Sequence, residues 1–230
     1  MSTSPVLRLS VDAIVFGYKD GQLFVLLIKR RFGSTKGTWA LPGGFVLKDE
    51  SLTSAVHREL KEETGIVVNW MEQLYTFGDD VHRDPRGRVV SVAYFALVDP
   101  STLEPRADTD AEAAQWFPID KTPSLAFDHS KILRTALERL RAKLTYQPIG
   151  FELLDKEFVF SELETLYATI LERPLDRRNF RKKFLALGLL KALGKARKGG
   201  SGRPAELFRF DRRQYETLQR KGLLLDLGSI

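Results

Sequence analysis

Residues 43–66, GGFVLKDESLTSAVHRELKEETGI, constrain the chain more than any other stretch. The second half reads as a helix, with Asp49 and Glu50 at the positive end of its dipole and Gly65 as its stop. At about 100° per residue from Leu52, the apolar residues Ala55, Val56 and Leu60 fall at about −60°, +40° and +80° and define one stripe. Glu59 at about −20° and Glu63 at about +20° lie in the middle of that stripe, and Glu62 at about −80° edges it. Ser54, His57 and Lys61 point the other way. Carboxylates on the buried side of an amphipathic helix are costly unless a cation meets them. Arg58, at about −120°, can pair with only part of this charge. A hard divalent cation held by oxygen ligands is the natural complement.

The wider spacing is more specific. Gly44, five residues, Glu50, seven residues and then RELKEETGI fill every fixed position of the pattern G-x5-E-x7-R-E-U-x-E-E-x-G-U, in which U is apolar. The stretch therefore resembles a Nudix box. The resemblance implies that Glu59, Glu62 and Glu63 hold Mg²⁺ or Mn²⁺ on a substrate diphosphate, and that Arg58 and Glu50 position those carboxylates. It counts Gly43 and Gly44 with the ligand-binding backbone. In a hydrolytic reading Glu62, or Asp110 or Glu112 from a later loop, is the base that deprotonates water.

Composition narrows the classes. Without cysteine there are no disulfides, thiolate metal sites or cysteine nucleophiles. The opening MSTSPVLRLSVD lacks a basic-then-apolar signal, and no apolar run approaches membrane-spanning length, so the cytoplasm is the expected location and no membrane contact is expected. The net charge of +6 is unevenly spread: residues 1–150 hold 19 basic and 19 acidic side chains, and residues 151–230 hold 17 and 11. A basic module beside a neutral one fits a polyanion-binding partner.

In the first half, residues 7–18 and 23–29 are apolar, β-branched runs joined by Lys19-Asp20-Gly21-Gln22, a hairpin signal. A loop leads to WALPGGF. Residues 66–77, 88–98 and 115–119 read as further strands, and residues 128–144 as an amphipathic helix burying Ile132, Leu133, Ala136, Leu137, Leu140 and Leu144. The expected fold is α+β, a mixed sheet covered on both faces in an α/β/α sandwich. Between two strands lies HRDPRGR, whose Arg83, Arg86 and Arg88 are placed near a sheet edge; arginine forks suit a diphosphate or ribose phosphate. The stretch RDPRGRVVSVAY, with WALPGGF, resembles the ADP-ribose-recognising Nudix subgroup, which makes Arg83 and Arg86 candidate ligand contacts. His82 and His129 read as structural, and His57 as solvated.

Gln147-Pro148-Ile149-Gly150 breaks the helical pattern, placing a boundary between domains 1–147 and 148–230. The second domain opens on Phe158-Val159-Phe160, with Ser161 and Glu164 as a capping box. The helix that follows buries Leu163, Leu166, Tyr167, Ile170 and Leu171. After a turn, Asp176 caps a second helix with Phe180, Phe184 and Leu187 on one face and Arg178, Asn179, Arg181 and Lys182 on the other, until Gly188. Two helices and a short turn, with Arg and Asn facing outward, suit a helix-turn-helix reading base edges in the major groove. A strand, the loop RKGGSGR and a second strand form a β-wing. The expected DNA contacts are Arg177, Arg178, Asn179, Arg181 and Lys182 on the helix and Lys198 and Arg203 on the wing.

The segments FVFSELETLYATIL, LDRRNFRKKFLALGLL and GGSGRPAELFRF resemble the winged-helix domain of the Nudix-related transcriptional regulators of NAD metabolism. With the first half, the resemblance spans almost the whole chain. It implies a C-terminal winged helix-turn-helix, a double-stranded DNA operator, ADP-ribose or a related nucleotide as effector, repression of NAD metabolism genes and a homodimer on a palindrome. A metal-dependent ADP-ribose pyrophosphatase with a basic accessory domain is the alternative, because an intact box permits hydrolysis. An RNA-associated Nudix protein is a third class, disfavoured by the lack of an aromatic stacking cluster.

Overall fold

The computed structural model describes residues 7–107, 111–197 and 204–222. Contacts divide the chain into two compact units, the main change falling between Arg139 and Leu140 inside one helix, with Asp20–Gln22 grouped with the second unit.

The first unit is built on β1 (Arg8–Lys19), which runs parallel to β6 (Val89–Val98) and is buried from Ser10 to Gly17. A strand buried at consecutive positions must be covered on both faces, which explains why these runs are continuously apolar rather than alternating. A turn at Asp20 and Gly21, both at positive φ, leads into β2 (Gln22–Arg30). The short strands β3 (Trp39–Ala40) and β4 (Gly43–Phe45) pair antiparallel with β2 and β1. β5 (Glu72–Phe77) pairs with β6, and β7 (Ala111–Pro118) with β2, giving the order β3-β2-β1-β6-β5. One parallel pairing among antiparallel ones makes the sheet mixed, as expected.

Helix α1 (Leu52–Thr64) packs Ala55, Val56 and Leu60, each fully buried, against Val11, Ala13 and Val15 of β1 and Val92, Tyr94 and Ala96 of β6. Ser51 is its N-cap, with Oγ accepting from the Ser54 N–H at 3.1 Å, and Gly65 at φ 69° closes it. Asp49 and Glu50 therefore precede the helix instead of forming its first turn. Helix α2 (His129–Tyr146) buries Ile132, Leu133, Ala136, Leu140 and Leu144, the expected stripe, with Leu137 only partly covered.

In the second unit, β8 (Phe158–Val159), β9 (Leu190–Arg197) and β10 (Ala205–Phe210) form an antiparallel sheet in the order β8-β10-β9. Helices α3 (Phe160–Leu171) and α4 (Arg177–Ala186) precede the β9–β10 hairpin. Their core is aromatic: Phe180 meets Phe184 at 4.6 Å and Tyr167 at 5.2 Å between ring centroids, and Phe151 stacks on Phe210 at 3.9 Å. The buried Tyr167 hydroxyl donates to the Ile149 carbonyl at 2.9 Å, so no polar group is stranded. Strand, helices and hairpin make the winged helix the sequence calls for.

Several local expectations change. Residues 66–71 are not strand; β5 starts at Glu72, because Val67 and Trp70 stay exposed and the paired register with β6 begins there. β7 is longer than residues 115–119, its pairing with β2 extending back to Ala111. The cap of α3 lies two residues earlier than Ser161: Glu162 accepts from the Val159 N–H at 2.8 Å, which lets the buried Phe160 join the helix, while Glu164 faces Arg177. A last helix, α5 (Arg212–Arg220), capped by Asp211, has no counterpart in the sequence reading.

Candidate nucleotide and nucleic-acid sites

The carboxylates of α1 meet the backbone of β4. Glu63, 5% exposed, accepts from the Gly43 N–H at 2.8 Å. A Cβ on Gly44 would collide with the Glu59 carboxylate, its Cδ lying 2.5 Å away, so only glycine lets the strand lie this close. Arg58 is the hub. Its Nε and Nη2 hold both oxygens of Glu50 at 2.8 Å, and its Nη1 reaches Glu59 at 2.8 Å and Glu62 at 3.1 Å. Nη2 also donates to the Phe45 carbonyl at 3.2 Å, tying helix to strand. Arg58 thus serves three of the carboxylates, and Glu63 bonds to Gly43.

This arrangement splits the carboxylates by environment. Hydrogen bonding to Arg58 holds Glu50 below its ordinary pKa. Burial pushes Glu59 up, against the pull of Arg58. A buried carboxylate that resists ionisation gains most from a divalent cation, and every donor here is oxygen, so the residues fit Mg²⁺ or Mn²⁺. Among the described residues no three such side chains already converge as a ligand set. Of the alternative bases, Glu112 is paired with Lys29 at 3.0 Å, and Asp110 lies outside the described residues.

The loop before β6 differs from its expected layout. Arg83 is not at the surface: it is 7% exposed and grips Asp128 with two bonds of 2.9 and 2.6 Å, with Asp12 at 3.8 Å. Asp12 also accepts from Ser91 Oγ at 2.5 Å and lies 3.5 Å from His129 Nε2. His129 Nδ1 accepts from the Leu41 N–H at 2.9 Å, and burial lowers its pKa against the opposing pull of Asp12 and Asp128. His129 is structural, as expected, and it suspends residues 41–43 between α2 and Glu63. Arg86 remains accessible and is held by both oxygens of Asp84 at 2.9 and 2.6 Å, contacts that take the Asp84 carboxyl below its ordinary range despite burial. Arg88 donates to the Gly78 carbonyl at 2.7 Å. Sequence reasoning missed Asp12, Asp84 and Asp128; the lone carboxylate inside the apolar run of residues 7–18 was the available signal for the first.

In the second unit Asp176 caps α4, accepting from the Asn179 N–H at 3.1 Å, and Phe180 and Phe184 anchor it at zero exposure. Arg178, Arg181 and Lys182 are exposed on the opposite face, with Asn179 half-buried among them. Arg177 lies 3.3 Å from Glu164. Arg181 is not a simple outward-facing cation: its guanidinium covers the rings of Phe160 at 4.6 Å and Phe208 at 5.8 Å, linking the helix to β10. Other basic groups on the wing strands are matched by acids, Arg197 by Glu162 and Arg209 by Glu157. Lys198 and Arg203 lie outside the described residues.

Comparison with known proteins agrees with both halves. Residues 6–140 match the NUDIX domain, and residues 150–210 the NrtR DNA-binding winged helix domain. The chain is 35% identical to the ADPR responsive transcriptional repressor NtrR of Acinetobacter baylyi, over 94% of this chain and 86% of that one. It is similar to Shewanella oneidensis NrtR complexed with a 27mer DNA, at 34% identity and a TM-score of 0.76, covering 90% of this chain and 95% of that one. The NUDIX domain of that NrtR complexed with ADP ribose matches at 38% identity and a TM-score of 0.54, over 60% of this chain and 90% of the other.

Proposed function

Because this chain belongs to the NUDIX family and carries the winged helix of the NrtR regulators, we propose that it is an ADP-ribose-responsive transcriptional repressor of NAD metabolism genes. The observation that carries this reading is α4: a capped helix, pinned by Phe180 and Phe184, that turns Arg178 and Lys182 outward in a chain whose other unit holds an intact carboxylate box. Arg178, Asn179 and Lys182 face the operator, joined by Arg177 and Arg181 at the edges of that surface and by Lys198 and Arg203 on the wing. Base contacts by such residues give specificity and phosphate contacts give affinity.

In the NUDIX domain Glu59, Glu62 and Glu63 are the residues that would hold Mg²⁺ or Mn²⁺, with Arg58 and Glu50 fixing their orientation. Held there, such an ion would supply positive charge for a diphosphate and, in a hydrolytic site, would lower the pKa of a water. Gly43 and Gly44 bring the backbone beside the ligand, Arg86 supplies cationic contact, and Arg83 acts through Asp128. The domain boundary follows the end of α2, at residues 147 and 148, and keeps that helix whole. Two copies act on a palindromic operator, so light scattering should give a dimer. The cytoplasm is where such a regulator works; among the described residues no helix is long and apolar enough to cross a membrane.

Regulation requires ADP-ribose to bind the DNA-free form more tightly, and by linkage DNA must weaken ADP-ribose binding by the same factor. The test is an operator titration with and without ADP-ribose, in the wild type and in Glu59→Gln/Glu63→Gln, alongside assay of product release with Mg²⁺. Both proteins should bind DNA, and ADP-ribose should weaken that binding. Rapid hydrolysis with no effect of ADP-ribose on DNA affinity would instead identify an ADP-ribose pyrophosphatase.

A further inference from the structure

Helix α5 opens as α4 does. Asp176-Arg177-Arg178-Asn179-Phe180 begins α4, and Asp211-Arg212-Arg213-Gln214-Tyr215 begins α5. In both, the aspartate side chain caps the helix, accepting from the Asn179 N–H at 3.1 Å and from the Gln214 N–H at 3.2 Å. In both, two arginines and no acid stand in the first turn. That turn is the positive end of the helix dipole, where acids stabilise and cations do not. Residues that break a local rule without a gain to the fold mark functional surfaces. For α4 the function is the operator. Helix α5 lies beyond residues 150–210, the stretch that matches the winged helix domain.

At about 100° per residue from Arg212, Tyr215 falls at about 300° and Leu218 at about 240°. This is the half-buried side of α5, with the Tyr215 ring 5.5 Å from that of Phe210. Arg213 at about 100° and Arg220 at about 80° stand opposite, flanked by Arg212 and Lys221. All four cations are exposed, and among the described residues none is ion-paired. Glu216 is the single acid of the helix, four residues from both Arg212 and Arg220, and it engages neither. On the neighbouring strands Lys191, Arg197 and Arg209 are instead matched by Asp211, Glu162 and Glu157.

We infer that α5 is a second DNA-contacting helix, one that holds backbone phosphates beside the sequence read by α4. Its first turn is tied to the end of α4. The Asp211 N–H donates to the Leu189 carbonyl at 2.8 Å, and Gln214 Nε2 lies 3.9 Å from where a Cβ on Gly188 would stand. The cation pairs at its two ends are eight residues apart, about 12 Å along the axis. That is three to four steps of about 3.4 Å along one DNA strand. Each arginine fork can give two bonds to one phosphate. A second copy of α5 is a poor partner, because a two-fold axis would set like charges together. Phosphate contacts carry no sequence information, so α5 adds affinity and register but no base choice. The inference rests on the operator reading above and adds a surface to it.

The test uses full-length protein and a mixed-sequence DNA duplex of about 30 base pairs, about three helical turns. Binding is followed by fluorescence anisotropy between about 0.05 and 0.2 M NaCl. The variant is Arg212→Gln/Arg213→Gln/Arg220→Gln/Lys221→Gln. The control, Lys19→Gln/Lys36→Gln/Lys48→Gln/Lys121→Gln, removes the same charge from exposed positions of the other unit. Loss of two phosphate contacts flattens the slope of log K against log salt by about 1.8 and weakens binding about tenfold or more at about 0.1 M salt. The α5 variant should show at least this loss and should melt no lower than the wild type, since its first turn sheds two cations. The control should keep the wild-type slope. Equal slopes in the α5 variant and the wild type, or equal flattening in the control, would overturn the inference and leave the reading by α4 intact. Dissociation of the α5 variant in light scattering would do the same, assigning the helix to subunit contact. Absence of DNA binding by the wild type at the lowest salt would overturn both.

Discussion

Gly44→Ala separates the fold of the carboxylate box from its chemistry. Gly44 is not at positive φ, so alanine meets no backbone strain, and its cost comes from the new Cβ alone. That atom would stand 2.5 Å from Glu59 Cδ and 2.7 Å from Oε2, whereas carbon atoms rest at about 3.5–4.0 Å. The Glu59 carboxylate must therefore retreat by about 1 Å, which stretches its 2.8 Å bond to Arg58 beyond useful length. A charge-assisted bond of this kind contributes about 1.5–3 kcal/mol when solvent is excluded. Arg58 is 24% exposed, so water recovers part of the loss, and the stiffer unfolded chain returns about 0.4–1 kcal/mol. The net destabilisation is about 1 kcal/mol, or about 2–4 °C in melting temperature for a chain of this size. Mn²⁺ affinity should fall far more, by tenfold or greater, since each 1.4 kcal/mol of ligand displacement is about a factor of ten. Calorimetric titration with Mn²⁺ and a thermal melt on the same sample give both numbers. Unchanged Mn²⁺ affinity in a folded variant would show that Glu59 is not a metal ligand. A loss above about 10 °C would show that the carboxylate cannot move aside, and the reasoning would fail there instead.

Three other outcomes are expected. Arg178→Ala should weaken operator binding by about 1–3 kcal/mol and relax discrimination against scrambled DNA; equal affinity for both sequences in variant and wild type would remove α4 as the reading helix. Arg83→Ala leaves the buried Asp12 and the part-buried Asp128 without their cation and should cost about 3–5 kcal/mol in urea melts, whereas exposed Arg86→Ala should cost less than about 1 kcal/mol. Reversal of that order would contradict the buried network. Burial sets the His129 pKa in the folded state below its ordinary value near 6.5, so the unfolded chain takes up the proton first, and stability is lost as pH falls below about 6.5 toward the folded value. The groups facing this histidine, Asp12, Asp128, Arg83 and Arg30, remain in His129→Gln, which should flatten that slope; parallel urea midpoints between pH 7 and 5 in variant and wild type would rule it out.

What the sequence revealed follows from the range of the interactions involved. Helix α1 and its inward Glu59 and Glu63 were legible because both depend on spacing within a few turns, as was α4 with its Asp176 cap. The short strands β3 and β4 were not, since two or three residues carry no period, and their pairing with Lys29 and Val11 is set by distant chain. Arg83 looked like a surface cation because its partner, Asp128, lies 45 residues away. Arg181 similarly appeared to face outward, although its guanidinium rests on Phe208 across the wing. Helix α5 escaped notice because it is short and mostly polar, and its apolar side is only Tyr215 and Leu218, neither fully buried.

The left-handed backbone at Phe127 sets the fate of any variant bred for heat resistance. Glycine at this position would release about 1 kcal/mol of strain, so selection on melting temperature alone should drive the residue toward glycine or asparagine. That change would also give up the ring that Arg30 and Arg86 cover, so the gain in melting temperature would fall short of the strain released.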